Sequence, residues 1–344
     1  MLFKRIAMLG AIMALCVVVL GAYVRLTDAG LGCPDWPGCY GTLSVPQSEA
    51  AIQQAQTNYP HSVIETGKAW KEMLHRYLAG TLGLVVLALF VLAWKNAKQG
   101  NLKIPDKQLI KVSPWLTTLL LVVIVFQAAL GMWTVTMLLK PAIVSAHLLG
   151  GMATLGLLTW IAHRHWGQYS NTLYANTTEQ SQASRWFIRF GLLVLFMQIF
   201  LGGWTSTNYA ALACTDFPTC HGAWMPEMDF KDAFHLIREL GQSADGGNLS
   251  LASITAIQWT HRIGAIITLI YLGFLGLNSL KYAQLKSLSI ILITVLFAQI
   301  GLGIANLVLH LPLVLAVGHN LGAALLVIIL VIFNSKITGS QVNQ

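Results

Sequence analysis

Charge is what this sequence has least of. Only 10% of its 344 residues are Asp, Glu, Lys or Arg, against roughly 25% in an ordinary soluble domain. A chain so poor in charge points away from a water-soluble fold and toward a polytopic membrane protein. Cysteine is also scarce, five in all, and none falls in a CxxC. No HxxxH accompanies them, so the usual spacings of a zinc site are missing. No small-residue cleavage pattern closes the first apolar run, although Lys4 and Arg5 precede it. That run continues through Tyr23-Val24-Arg25, which reads as a retained first helix rather than a signal peptide.

What fills the chain is apolar: 56% of residues are hydrophobic and the mean hydropathy is +0.65. Eight runs, at about 6–25, 74–94, 115–136, 143–163, 186–206, 258–279, 287–308 and 313–334, approach or exceed the length of about 20 residues that spans a bilayer as a helix. They are far too long for barrel strands, and in hydrocarbon only helices or closed barrels satisfy the backbone. The expected fold is an all-α polytopic membrane protein with eight transmembrane helices.

The charges that remain are sorted. With the N-terminus in the cytoplasm, the inner segments hold 13 basic residues: Lys4, Arg5, Lys95, Lys98, Lys103, Lys107, Lys111, Arg164, Arg185, Arg189, Lys281, Lys286 and Lys336. Only Asp106 and Glu179 oppose them there, while the outer segments carry more acid than base. The positive-inside rule then places both termini in the cytoplasm. The net charge of +8 is explained by topology and calls for no nucleic-acid partner.

The outer segments contain a small loop twice. CPDWPGCYG at Cys33–Gly41 returns 181 residues later as CTDFPTCHG at Cys214–Gly222. On the oxidising side of a membrane, Cys33 with Cys39 and Cys214 with Cys220 are plausible local disulfides, as plain staples or as redox pairs. Cys16, inside the first run, reads as a small apolar residue. The echo continues elsewhere. Leu20-Gly21 matches Leu201-Gly202, QAALGMW from Gln127 matches QIGLGIAN from Gln299, and Leu74-His75-Arg76 matches Thr260-His261-Arg262. The first four runs thus map onto the last four as a tandem repeat of two four-helix bundles, residues 1–170 and 171–344, with both copies in the same orientation. The second outer loop, about 207–257, is polar and Gly/Ser-rich, with a short amphipathic piece expected near Phe230–Leu240.

Four of the ten histidines stand out. His61, His221 and His235 fall in outer loops, His163 and His165 at the inner end of the fourth run, and His310 has no repeat partner; the loop and inner-end histidines read as solvated residues. His75, His147, His261 and His319 each lie near the outer start of an even-numbered run, paired by the repeat. Ionisable groups inside a membrane are costly and mark functional sites. Two imidazoles opposed across each bundle suit a six-coordinate haem iron, whereas zinc or copper would want three or four clustered ligands. Arg25, Arg76 and Arg262 lie at the same level and suit haem propionates, or interfacial snorkelling. Glu72 sits one turn before His75, and its counterpart is Gln258. A carboxylate beside one of two otherwise matched sites suggests that one does chemistry and the other transfers electrons. Alternatively, Glu72 orients a loop or pairs with Lys68 or Lys71.

RLTDAGLGCPDWPGCYG from Arg25, the ExxHR of Glu72 to Arg76, the paired HR and GHNLGA motifs and the eight-helix repeat together resemble the haem A synthase family. The resemblance runs over about residues 6–334 and is to the type with cysteine pairs in both outer loops. It implies oxidation of the C8 methyl of haem O to a formyl group, giving haem A for terminal oxidases in a bacterial cytoplasmic membrane. It also implies that His75 and His147 form the substrate-haem site, that His261 and His319 hold a haem B cofactor, and that Glu72 is the functional glutamate. The partners implied are haem O synthase, oxidase assembly factors and an electron acceptor. A dihaem b-type electron-transfer subunit and a haem carrier are the competing readings of the residues alone.

Overall fold

The computed structural model describes residues 2–99, 113–166, 181–243 and 246–338. Lys103, Asp106, Lys107, Lys111 and Glu179, the side chain of His165 and the division at residue 170 lie outside the described residues. The described residues form ten α-helices: α1 Leu2–Leu26, α2 Glu49–Asn58, α3 Thr66–Gln99, α4 Pro114–Thr136, α5 Pro141–Trp166, α6 Ser181–Thr207, α7 Phe230–Ala233, α8 Leu251–Ser279, α9 Ala283–Val308 and α10 Leu313–Thr338. Eight of them, all but α2 and α7, are long and apolar enough to cross a membrane. The protein is a multi-pass membrane protein, and among the described residues it contains no strand, only isolated bridges.

Two helices begin about two turns earlier than their apolar runs. The third element starts at Thr66 rather than near 74, and α8 starts at Leu251 rather than near 258. The added turns carry Thr66, Lys68 and Lys71, or Ser253 and Thr255, so hydropathy alone does not register them. The Ser250 side chain accepts from the Ser253 N–H and starts α8, as an N-cap does. In the first outer loop, α2 was not anticipated; Ser48 caps it and Glu49 opens it. The amphipathic piece expected over 230–240 shrinks to the single turn of α7.

Neighbour contacts close two rings. The first contains α1, α3, α4 and α5, each packed on the next; the second contains α6, α8, α9 and α10. The rings meet through α1, α5, α6 and α10. Leu155 and Leu158 of α5 and Val327 and Leu330 of α10 are buried in one continuous core there. Gly156 helps bring α5 against Val327 and Val331, the close approach that small residues permit between membrane helices. Val122 and Phe126 on α4, and Ile270 and Phe274 on α8, remain exposed, as lipid-facing positions do.

Candidate haem site

Each ring places one of the four repeat-paired histidines on each of two opposed helices, His75 on α3 with His147 on α5, and His261 on α8 with His319 on α10. All four line one largely apolar cavity of about 1890 Å³. Each pair is within electrostatic reach across its ring.

Every one of these imidazoles is seated against a glycine on the preceding membrane helix. A Cβ at Gly21 would lie 2.9 Å from Cε1 of His75, and at Gly131 3.2 Å from that of His147. Gly202 and Gly303 make the same approach to His261 and His319, each 3.1 Å. All four glycines follow a leucine: Leu20-Gly21, Leu130-Gly131, Leu201-Gly202 and Leu302-Gly303. That repeated dipeptide was the available signal for a histidine seat.

Glutamines brace the rings from the other nitrogen. Gln127 Nε2 is 3.0 Å from His147 Nδ1, and Gln198 Nε2 is 3.0 Å from His261 Nδ1. His319 Nδ1 is 3.1 Å from the Gln299 carbonyl oxygen. Sequence reasoning assigned these glutamines no role, because a lone Gln in a membrane helix reads as packing until its partner is known. With Nδ1 engaged in these three imidazoles, Nε2 is the ring nitrogen left for a metal. Close glycine seats, imidazoles in facing pairs and an apolar chamber together fit haem.

The cysteine loops cover the two rings by one construction. Cys33–Cys39 and Cys214–Cys220 are both disulfides, and Cys16 is free. In the first loop, the Asp35 carboxylate accepts from the Tyr40 N–H at 2.6 Å and the Gly41 N–H at 2.8 Å. Asp216 accepts from His221 N–H at 2.7 Å, Gly222 N–H at 3.0 Å and the Thr219 hydroxyl at 2.6 Å. These bonds hold Asp216 down at about 2, the Thr219 hydroxyl and the Gly222 N–H being the main causes. Cys214, Cys220 and His221 place possible ligand atoms within 4.8 Å of one another. The two sulfurs are already bonded to each other, so this cluster has no thiolate to offer a metal.

The ExxHR motif divides its work among three side chains. Glu72 Oε2 accepts from the Cys33 N–H at 2.9 Å while Oε1 pairs with Arg76. Gln258 does the same for the other loop, accepting from the Cys214 N–H and donating to the Ala211 carbonyl at 2.6 Å. Arg76 donates to the Asp35 carbonyl at 2.8 Å. Arg262 donates to the carbonyls of Thr219, Asp216 and Cys214 at 2.8, 2.9 and 3.1 Å. Lys68 pairs with Glu65 at 2.9 Å and Lys71 lies over the Tyr23 ring, so Arg76 is the cation beside Glu72. Arg25 donates to the Ser206 carbonyl at 3.0 Å and lies 4.7 Å over the Tyr209 ring, joining the first ring of helices to the second. Glu72, Arg25, Arg76 and Arg262 all line the cavity.

Of the remaining histidines, His163 departs from expectation. It is half-buried, with Nδ1 2.9 Å from Ser335 Oγ on α10, because α5 turns this face toward the ring interface rather than toward water.

The whole architecture has known counterparts. A family model described as "Cytochrome oxidase assembly protein" matches residues 4–331. A "Heme A synthase" of Shewanella oneidensis is 46% identical over 323 residues, 94% of this chain and 93% of the relative. Those of Caulobacter vibrioides and Paracoccus denitrificans are 29% and 25% identical, over 94% and 92% of this chain and 92% and 82% of the relatives. With the match running through both rings and both cysteine loops, the chain belongs to the haem A synthase family of cytochrome oxidase assembly proteins.

Proposed function

We propose that this protein oxidises the C8 methyl of haem O to a formyl group, giving haem A for terminal oxidases. The observation that carries this reading is the asymmetry on one shared cavity. Two histidine pairs line it, and a carboxylate stands beside only one of them. His75 and His147 take the substrate haem O, and His261 and His319 hold haem B. When bound, haem B supplies one-electron transfer away from the reacting site toward an external acceptor.

The chain's own residues do the rest. The glycine seats hold all four imidazoles, with the Gln127 and Gln198 side chains against His147 and His261, and these rings would hold the iron. Arg25, Arg76 and Arg262 offer guanidinium N–H groups at the outer wall for propionates; Arg25 Nε is buried there without a partner, a donor suited to an anion. Glu72 puts negative charge next to the N-terminal pair. There it stabilises positive charge arising at the methyl and accepts a proton released in the successive two-electron oxidations. Gln258 shows that an amide suffices to hold a cysteine loop, which frees the charge of Glu72 for chemistry.

The protein sits in a bacterial cytoplasmic membrane with both termini inside and the cysteine loops outside. This orientation follows from the basic inner ends Lys4, Arg5, Lys95, Lys98, Arg164, Arg185, Arg189, Lys281, Lys286 and Lys336. Haem O synthase and oxidase assembly factors are its expected neighbours. The test is the pigment extracted from protein purified with haem O supplied. Haem B together with a formyl-bearing haem is expected; two haem B per chain with no formyl product would favour an electron-transfer subunit instead.

A further inference from the structure

The cavity is not equally deep in its two halves. The repeat sets a register for the comparison: His75 on α3 matches His261 on α8, and Gln127 on α4 matches Gln299 on α9. In the N-terminal ring the cavity wall follows α3 as far as Leu87 and α4 back to Leu121. In the C-terminal ring it stops at Leu269 on α8 and Leu296 on α9, about one turn short on each helix. Gly273 and Ile293, the counterparts of Leu87 and Leu121, take no part in the wall. At the helical rise per residue, Leu87 stands about 18 Å along α3 from His75, and Leu269 about 12 Å along α8 from His261.

Side-chain size accounts for the difference. Gly80, Gly83 and Ala128 line the N-terminal wall at the positions where Ile266, Leu269 and Ile300 line the other. Glycines in membrane helices usually let a neighbouring helix come close, and Gly276 of α8 does so. A Cβ there would lie 2.7 Å from Cγ1 of Ile293 on α9, which shuts the α8–α9 seam below the histidines. Gly80 and Gly83 admit no helix: a Cβ at either meets no other described side chain or helix within 4 Å, because they face the cavity. Phe90 stands where Gly276 does, so α3 does not offer α4 the same close approach. Leu87 and Val125 line the cavity and are also exposed, so the α3–α4 seam reaches the lipid-facing surface.

We propose that the α3–α4 seam beyond His75 takes the long apolar isoprenoid substituent by which haem O differs from haem B, with Gly80, Gly83 and Ala128 as specificity-determining residues. The proposal deepens the assignment of the N-terminal pair to substrate and rests on it. Ile266, Leu269 and Ile300 leave the other half room for the short substituents of haem B and none for the tail. Two halves with matching histidine pairs thus sort two haems of one macrocycle by the bulk of the wall, not by the chemistry at iron. Hydrocarbon placed in the seam leaves water, which supplies affinity that haem B does not gain there.

The test offers equimolar haem O and haem B to purified full-length His261→Ala, in which only the N-terminal pair is complete, and measures each haem in the extracted pigment. The parent should take haem O in preference. Gly80→Ile/Gly83→Leu, which installs the wall of the other half, should lower the ratio of haem O to haem B by about 10-fold or more, as methylene-sized changes in an apolar pocket do. Ala128→Ile fills the seam from α4 and should shift the ratio in the same direction. Haem B uses the same histidines, so its retention separates a filled seam from a damaged fold. An unchanged ratio in both variants, or equal loss of the two haems in both, overturns the proposal. The functional reading is judged separately, on the native chain supplied with haem O. Formyl-bearing haem from that chain keeps the reading whatever the ratios show; if none forms, the reading fails and takes this inference with it.

Discussion

At the scale of single residues, Glu72 and Gln258 show one structural duty performed with and without charge. Both accept from the first cysteine N–H of their loop, and only Glu72 pairs with the arginine that follows the histidine. Glu72→Gln is therefore expected to keep the loop, the fold and haem at both sites while formyl production stops. Pigment analysis of the variant checks this, and a normal haem A yield would remove Glu72 from the chemistry. Gly202→Ala tests the histidine seat. A Cβ 3.1 Å from His261 Cε1 forces the ring to turn, so the variant should lose haem B absorbance while its helical circular dichroism is unchanged. The four histidines were legible as candidates because polar residues in an apolar run are conspicuous, and Glu72 because its repeat counterpart is Gln258. Gln198 was not, since its partner lies 63 residues away on another helix and only packing introduces them.

At the scale of elements, each residue of the CxDxPxCxG loop has a task. The aspartate caps the backbone N–H groups that follow the second cysteine, and Arg76 or Arg262 holds the carbonyls. Asp216 sits near 2 instead of 3.8, so its folded form is favoured in the ionised state. That contribution is complete above the unfolded value and is lost as pH falls from 3.8 toward 2. The thermal stability of Asp216→Ala should accordingly lie below wild type at neutral pH and converge on it in acid; a gap independent of pH would mean the carboxylate is not the cause. The disulfides close loops of seven residues, where chain-entropy arguments give about 2 kcal/mol each. Cys33→Ser/Cys39→Ser should lower thermal stability. Full activity in that variant would assign the pair a structural role, and lost activity with an intact fold a redox one. The motif was visible as a pattern, but its logic needed the arginine from α3 or α8 to be brought over it.

At the scale of the molecule, the two rings share a core. Leu155, Leu158, Val327 and Leu330 are buried in the same cluster, and Arg25 ties α1 to the end of α6. Residues 1–170 and 171–344 expressed as separate chains should therefore fail to accumulate singly and co-purify when expressed together. Stable haem-binding protein from either half alone would show that the shared core is dispensable. The cavity also belongs to the whole, because its walls draw on both rings.

By itself the sequence determined that the chain enters a membrane, that eight helices cross it, which four histidines are exceptional and where the carboxylate breaks the symmetry. Each of these follows from local rules: a backbone in hydrocarbon must be helical, and a buried polar side chain needs a reason. The tertiary structure alone decided where those helices begin, how they close into rings, which glycine seats which imidazole and which glutamine braces it. Those are facts of distance between segments far apart in the chain. Apolar helix surfaces are chemically alike, so packing of small residues and sparse hydrogen bonds, rather than hydropathy, selects their neighbours.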